Sequence, residues 1–299
     1  MVAWGQRQQL NLLIFHLVLI FTASSFSPSF AFKPSTTTTT STLDTTAAAA
    51  TATRRKRNQV QMMSAPSPSS SSSEPSKHIL YDLPVSNNGA RCRLIVYKKA
   101  LPQNEVAIVS PAELGGLQSE EYLKVNPQGK MPSLLIQESN FAIAESDTIS
   151  RYLMSTYATT GPSFQPDNPR SNLMARFHDL YLTTIQGCLY KPSPPFGTFG
   201  DRKAALLEYK KQLQIIDDLV VPTDDSNKAM YLCGNEISYA DATIFPSLVF
   251  AKYMFPKFNG SIEGLEDANN NPLPDKLDQY LERVRTQDPA FQKVYDEVR

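Results

Sequence analysis

The sequence has few of the residues that cross-link a chain or bind metals. Its 299 residues include three cysteines and three histidines. Cys92, Cys188 and Cys233 form no C-x-x-C pair and have no histidine close by, which argues against a disulfide framework and a zinc site. No apolar run after residue 77 approaches the ~20 residues that span a bilayer. We therefore expect a protein of a reducing compartment, with no metal and no stable membrane anchor after processing.

The chain also lacks an excess of either charge, but its net charge of zero is a cancellation. Residues 1–76 carry six lysines and arginines against two acidic residues, whereas residues 77–299 carry 23 against 27. The body is therefore mildly acidic and has no basic block, which excludes an obvious nucleic-acid partner.

The first 76 residues have the composition of targeting segments. Residues 1–32 contain Arg7, an apolar stretch and small residues toward Ala31, which is typical of a signal peptide. Of residues 33–76, twenty of forty-four are serine or threonine, and a basic cluster occupies 54–57, which is typical of a disordered transit peptide. The junction at 29–34 resembles the bipartite presequences of algae with complex plastids. That resemblance implies the plastid stroma, and secretion is the alternative.

From residue 77 the hydrophobic pattern predicts a small α/β domain over 77–160. Strands alternate with helices, and a hairpin and a last helix follow. The predicted elements have the order βαβαββα and cover residues 78–83, 90–101, 105–109, 119–125, 133–137, 141–144 and 146–157.

After a proline-rich connection, residues 163–299 show only helical periods. They predict an all-helical domain with helices at 170–189, 201–220, 239–254 and 275–284 and a short last segment. Ser238 and Asp241 have the spacing of a capping box, so we assign both to the scaffold.

The most specific pattern is Asn126-Pro-Gln-Gly-Lys-Met-Pro132, followed thirteen residues later by Glu145 and Ser146. Pro132 heads a strand, where its missing N–H does least harm, and its bond with Met131 can be cis. With the two predicted domains and Ser-Tyr-Ala-Asp at 238–241, this pattern resembles the soluble glutathione transferase family, over roughly residues 79–299. The resemblance implies a thioredoxin-like first domain, an all-α second domain and a phi- or zeta-like protein of the serine type.

The resemblance implies a glutathione site. Met131 and Pro132 would pair with the cysteinyl part of glutathione as an added strand does. Glu145 would bind the ammonium group of the γ-glutamyl end, and Ser146 with the first amides of its helix would bind the carboxylate. The alternatives are a surface acid for Glu145 and a helix cap for Ser146.

The activating residue is expected between the first strand and the first helix. Serine-type members place a serine five residues before the first arginine of that helix, which corresponds to Ser86 and Arg91. Ser86 would donate a hydrogen bond to the glutathione sulfur and favour the thiolate, with Asn87 as a helper. Ser86 could instead be only a cap. Tyr81 ranks lower, because it would project from the opposite face of the strand.

Two departures from the family pattern concern the same site. Leu117 and Gln118 stand where phi-like members place His-Lys to hold the glycyl carboxylate, which leaves Gln118 and Lys130 as donors. Ser86 also stands where the thiol-transfer subfamilies carry a cysteine, and Cys92 falls inside the predicted helix. Thiol transfer is therefore disfavoured.

The resemblance implies an enzyme that conjugates glutathione to a small hydrophobic electrophile, in detoxification or a stress response. Glutathione would be a co-substrate, no cofactor would be needed, and the family leads us to expect a homodimer. The alternatives are a glutathione-dependent isomerase, similar to maleylacetoacetate isomerase, and a non-catalytic ligand-binding or scaffold protein. The isomerase needs arginines near glutathione, and Arg91 is expected to face solvent. Four aromatic residues near the proline-rich loop are candidates for binding the electrophile: Tyr181, Tyr190, Phe196 and Phe199. The alternative is ordinary helix packing for Tyr181 and an exposed loop for the other three.

Overall fold

A computed structural model describes residues 75–221, 229–258 and 272–299. The predicted signal and transit segments therefore lie outside the described residues, apart from residues 75 and 76. The described residues all belong to one compact unit. No helix among them is both long and apolar enough to cross a bilayer.

The first layer is a four-stranded mixed sheet in the order β2-β1-β3-β4. Strands β1 and β2 are parallel, and β3 is antiparallel to both β1 and β4. The strand bounds are His78–Tyr81, Val106–Val109, Ser133–Ile136 and Phe141–Ala144. This sheet confirms the predicted thioredoxin-like βαβαββα order.

Three helices belong to the same domain: α1 at Asn87–Lys98, α2 at Glu120–Val125 and α3 at Ser146–Thr156. Helix α1 begins three residues before the predicted start, because the Ser86 side chain accepts the Gly89 amide at 3.0 Å and caps the helix there. It ends earlier than predicted, because Ala100 has a φ of 50° and a proline follows at 102.

The second part is helical, as predicted. Its helices are α4 at Pro169–Phe177, α5 at Arg202–Leu219, α6 at Tyr239–Met254, α7 at Asp275–Gln287 and α8 at Pro289–Val298. The single helix predicted at 170–189 is wrong. The Thr183 amide bonds the His178 carbonyl five residues back at 2.9 Å, so α4 continues as one π turn, His178–Leu182, before a 3₁₀ turn at Gln186–Leu189.

Helix α6 is the centre of the helical core, since every residue from Tyr239 to Ala251 is buried. The Asp241 carboxylate accepts the backbone amides of Ser238 and Leu232 at 2.7 and 3.0 Å. These bonds close a capping box at the start of α6 and confirm the scaffold role of both residues. Helix α1 packs against α3 on the sheet side and against α6 and α8 on the other. It therefore joins the two layers.

Candidate functional site

The strand register brings the predicted site segments to one end of the sheet. Tyr81, the last residue of β1, is paired with Val109 at the end of β2 and with Ser133 at the start of β3. Ser133 is also paired with Ala144, the last residue of β4. The loop after β1, the Met131–Pro132 segment before β3 and Glu145 after β4 therefore lie at the same edge.

The backbone of Met131 is available to a ligand. The Met131–Pro132 peptide bond is cis, and Pro132 is buried. Within the described part of the chain, neither the N–H nor the C=O of Met131 makes a hydrogen bond. By contrast, the preceding carbonyl, that of Lys130, accepts the Tyr122 hydroxyl at 2.7 Å and the Asn126 amide at 2.8 Å. The hydrogen bonds to Lys130 thus fix the turn before β3, while Met131 has a backbone donor and acceptor that an extended peptide could pair with.

Glu145 has the backbone of a functional residue. It precedes α3 with a φ of 68° and a ψ of 120°, a conformation that costs free energy for any residue with a side chain. Its side chain is exposed and caps no amide of α3. The carboxylate is therefore free to bind a cationic group, and the strained backbone has no role in capping that would explain it.

Ser146 is the first residue of α3 and is half-buried. Its hydroxyl lies 3.5 Å from Nη1 of Arg91. The first amides of α3 carry the positive end of the helix dipole, which favours an anionic group at this position.

Ser86 caps α1, because its Oγ accepts the Gly89 amide at 3.0 Å. A serine hydroxyl can donate while it accepts, and Ser86 also makes a hydrogen bond to the buried Asp82 carboxylate. The thiolate role that the sequence predicts therefore requires the hydroxyl to turn from Asp82 to the sulfur. Asn87, the predicted helper, lies next to it as the first residue of α1, and its Nδ2 donates to Ser247 on α6 at 3.2 Å.

A buried ion pair holds the loop between β1 and α1, which contains Ser86. Asp82 and Arg93 are in direct contact, and both are almost fully buried. Arg93 also donates to the carbonyls of Leu83 and Pro84 at 2.8 and 2.6 Å, and its Nε donates to Glu297 of α8 at 2.9 Å. Burial raises the pKa of Asp82 to about 6, although the Arg93 charge and hydrogen bonds from its neighbours oppose the shift.

No sequence pattern predicted this ion pair or its link to Glu297. Asp82 and Arg93 are eleven residues apart and Glu297 is more than two hundred further on, so no local spacing connects them.

Tyr81, the lower-ranked candidate for the activating residue, is buried, with its ring centroid 5.9 Å from that of Tyr122.

The expectation that Arg91 faces solvent is wrong. Its side chain is 2% exposed and binds Asp147 and Asp179, at 3.1 and 2.9 Å. Its guanidinium also lies over the Tyr239 ring, 4.7 Å from the centroid. Arg91 is one helical turn inside α1 and lies between Asp147 of α3 and Asp179 of the helical part, whose carboxylates compensate for the burial of its charge.

The glycyl end of the predicted site holds two weaker candidates. Gln118 Nε2 lies 3.4 Å from the Gly129 carbonyl, so its side chain rests on the turn that leads to Met131. Lys130 is exposed.

The aromatic candidates divide between surface and core. Tyr181 is exposed and packs against Phe177, with the two rings tilted and their centroids 5.2 Å apart. Tyr190 packs against Phe250 at 6.0 Å, and Phe196 is buried under the Arg202 guanidinium. Phe199 is half-buried. The expectation of an exposed loop residue is therefore wrong for Phe196, and the expectation of helix packing is wrong for Tyr181, which is 48% exposed.

None of the cysteines is activated. Cys92 is fully buried in α1, and burial raises its pKa to about 12. Burial also raises the pKa of Cys188 to about 12 and that of Cys233 to about 11. A thiol in this range is protonated at neutral pH and is a poor nucleophile. Among the described residues, no group of three His, Cys, Asp or Glu side chains could hold a metal ion.

Comparisons with known proteins agree with this geometry. Residues 80–163 match the family model described as the glutathione S-transferase N-terminal domain. Glutathione S-transferase 3 of Zea mays is 28% identical over 186 residues, which cover 58% of this chain and 78% of that protein. The glutathione S-transferase-like protein gedE of Aspergillus terreus is 25% identical over 162 residues, which cover 52% and 70%.

Solved structures share the fold. Glutathione transferase F7 from Populus trichocarpa superposes with a TM-score of 0.54 at 21% identity, over 74% of this chain and 99% of that one. Glutathione S-transferase III in its apo form gives a TM-score of 0.53 at 23% identity, over 75% and 97%. Residues 80–163 thus match a glutathione S-transferase N-terminal domain, and the chain is similar to glutathione S-transferases in sequence and in fold.

Proposed function

We propose that the protein conjugates glutathione to a small hydrophobic electrophile, with glutathione as co-substrate and no cofactor. The observation that carries the proposal is the free backbone donor and acceptor of Met131, at the sheet edge where Glu145, Ser146 and Ser86 also lie. Met131 would bind the cysteinyl unit as a strand, and the N-terminus of α3 would bind the γ-glutamyl carboxylate.

Ser86 supplies the chemistry in this proposal. Its hydroxyl donates to the sulfur, which lowers the pKa of the glutathione thiol, and each unit is worth about 1.4 kcal/mol. Asn87 is bound to Ser247 through its Nδ2, so we propose that it acts by orienting the first turn of α1. The bound electrophile then reacts with a thiolate that is already in place.

The glycyl end of the site is built differently from the phi-like pattern. Gln118 and Lys130 are the donors there, and neither has the His-Lys arrangement. We therefore expect weaker glutathione affinity than a His-Lys pair would give, because one charge-assisted contact is lost.

Steady-state conjugation tests the proposal. The full-length chain is assayed with glutathione and a panel of electrophiles that includes 1-chloro-2,4-dinitrobenzene and a maleyl substrate, and glutathione binding is measured by calorimetry. Conjugation at a rate that saturates with glutathione is expected. Binding without turnover indicates the ligand-binding alternative, and turnover of the maleyl substrate alone indicates the isomerase. The absence of both binding and turnover contradicts the proposal.

We propose that the functional form is a homodimer. Leu173, Phe177, Leu180 and Tyr181 follow one another at helical spacing along α4 and its π turn, and three of them are among the exposed large apolar residues. A stripe of this kind on a helix favours burial against another chain, and a second copy is the partner that the family leads us to expect.

We propose import into the plastid stroma for the presequence at 1–76, on composition alone. A fluorescent protein fused behind residues 1–76 and expressed in an alga with complex plastids tests this. Stromal fluorescence is expected, and fluorescence in the medium supports secretion instead.

A further inference from the structure

A chain of hydrogen bonds runs from the helical part to the first residue of α1. Asp179 Oδ1 lies 3.0 Å from Nδ1 of His178, whose Nε2 lies 2.7 Å from the hydroxyl of Ser247. Asn87 Nδ2 donates to the same hydroxyl at 3.2 Å. His178 and Ser247 are 2% and 1% exposed, so water does not compete for these bonds.

Each link has a defined direction. Burial alone would raise the pKa of Asp179, but the hydrogen bond from His178 and the charge of Arg91 lower it to about 2. Asp179 is therefore ionised and accepts only, which places the His178 proton on Nδ1. Burial lowers the pKa of His178, so the ring is neutral and Nε2 accepts the Ser247 hydroxyl. The Ser247 oxygen then accepts the Asn87 amide.

The same carboxylate also connects to α3. Asp179 binds both terminal nitrogens of Arg91, at 2.9 and 3.3 Å, and Arg91 contacts Ser146. One acidic residue of the helical part is thus linked to the N-termini of both α1 and α3.

The order Asp179, His178, Ser247 has the connectivity of a hydrolase triad, but Ser247 has no access to a substrate. Its hydroxyl is buried on α6 and already accepts from Asn87. A nucleophilic serine must reach an acyl carbon, so the constellation is suited to holding Asn87 and unsuited to covalent catalysis.

We infer that His178 and Ser247 are positioning residues, which hold Asn87 and with it the Ser86 turn of α1 in the geometry that binds the glutathione sulfur. The inference rests on the proposed function, because Ser86 is the residue that it positions. It makes the helical part a determinant of thiolate formation.

A double-mutant cycle in the full-length protein tests the inference. The variants are Ser247→Ala, Asn87→Ala and both together. Thr243→Val is the matched control, because Thr243 is a buried hydroxyl one turn earlier on α6 that bonds only the Tyr239 carbonyl, at 2.9 Å. The readouts are kcat and KM with 1-chloro-2,4-dinitrobenzene, and the thiol pKa of bound glutathione from its thiolate absorbance.

We expect each single variant to lower kcat roughly fivefold, the loss of about 1 kcal/mol typical of one hydrogen bond. The thiol pKa of bound glutathione should rise in both, whereas Thr243→Val leaves it unchanged. The double variant should be no worse than either single one, since both remove the same link. Additive losses, or a Ser247→Ala variant that matches Thr243→Val, would overturn the inference.

Hydrogen exchange of the protein without glutathione separates this inference from the proposed function. If the wild-type protein conjugates nothing, the proposed function fails, and exchange still reports on the link. Faster exchange at the first turn of α1 in Ser247→Ala but not in Thr243→Val supports the positioning of α1. Equal exchange in the two variants contradicts it.

Discussion

Ser86 combines two hydrogen-bonding roles in one hydroxyl, and the two can be separated by substitution. Ser86→Ala removes both the cap and the donor, whereas Ser86→Asp keeps an acceptor for the Gly89 amide and has no proton to donate at neutral pH. We expect both variants to lower kcat roughly tenfold or more, which corresponds to about 1.4 kcal/mol.

The control for the cap is Asp201→Ala, which removes the N-cap of α5 at a distance in the chain from the site. It should lose about 1 kcal/mol of unfolding free energy, as Ser86→Ala does, with unchanged turnover. Wild-type kcat in Ser86→Asp would remove the donor role from the mechanism.

The backbone conformation of Glu145 and its proposed binding role can be separated by substitution. Glu145→Ala and Glu145→Gly both delete the carboxylate, and only glycine relieves the φ of 68°. We expect KM for glutathione to rise roughly tenfold in both, which is the loss of one charge-assisted contact. The melting temperature should rise only in Glu145→Gly. A KM that stays unchanged in both variants would show that Glu145 does not bind the ammonium group.

Asp179 contributes to stability in a pH-dependent way. Its pKa is lowered to about 2 in the folded protein, so its contribution is full above about pH 4 and is lost as the pH falls toward 2. A shift of that size corresponds to about 2 to 3 kcal/mol. At pH 7 we expect Asp179→Asn to have an unfolding free energy lower than that of the wild type by at least this much, because Arg91 is left buried without this partner. Between pH 7 and low pH, the unfolding free energy of the variant should fall less than that of the wild type.

Urea unfolding at pH 7 and pH 3 measures both effects. Asp218→Asn, at an exposed carboxylate on α5, is the control and should match the wild type at both values. If Asp179→Asn and the wild type lose equal stability between the two pH values, the carboxylate titrates normally and the assignment is wrong.

At the scale of elements, one lysine fixes the segment that connects α3 to α4. Lys99, directly after α1, is buried and donates to the carbonyls of Tyr157, Thr160 and Pro162 at 2.8, 2.9 and 2.9 Å. These carbonyls lie where α3 ends and the connection to α4 begins, so one ammonium group satisfies backbone acceptors that no helix pairs.

Lys99→Met keeps the length of the side chain and removes the three donors. We expect a loss of about 1 to 3 kcal/mol in unfolding free energy, because the three hydrogen bonds from the buried ammonium group are lost. Lys124→Met, at an exposed lysine of α2, should change stability by less than about 0.5 kcal/mol. Equal urea midpoints for the two variants would contradict the assignment.

Which elements the sequence predicts depends on how local their causes are. The strands and α3 were predictable, because alternation and helical period depend on neighbouring residues, and α6 was predictable because Ser238 and Asp241 lie within one turn. The π turn at His178–Leu182 was not, because no local pattern marks it and its residue His178 binds Ser247, 69 residues away in the chain.

At the scale of the whole molecule, the exposed apolar stripe of α4 gives a test of assembly. Leu180 is 45% exposed, and Leu180→Glu puts a charge into the proposed dimer contact. We expect sedimentation equilibrium to report a dimer for the wild type and a monomer, or a dimer weakened at least tenfold, for the variant. Tyr253→Glu, at an exposed aromatic outside the stripe, should remain dimeric. Equal dimerisation of both variants would place the contact elsewhere.

The sequence by itself determined the class of fold and the segments that meet at the proposed glutathione site, because those depend on periodicity and on a contiguous motif. Only the tertiary structure decided where Arg91, Asp82 and His178 belong. Apart from Asp179, which is next to His178, and Ser86, which is four residues from Asp82, the side-chain partners named above lie at least eleven residues away in the chain, and a buried polar group takes its role from the partners that the packed elements bring to it.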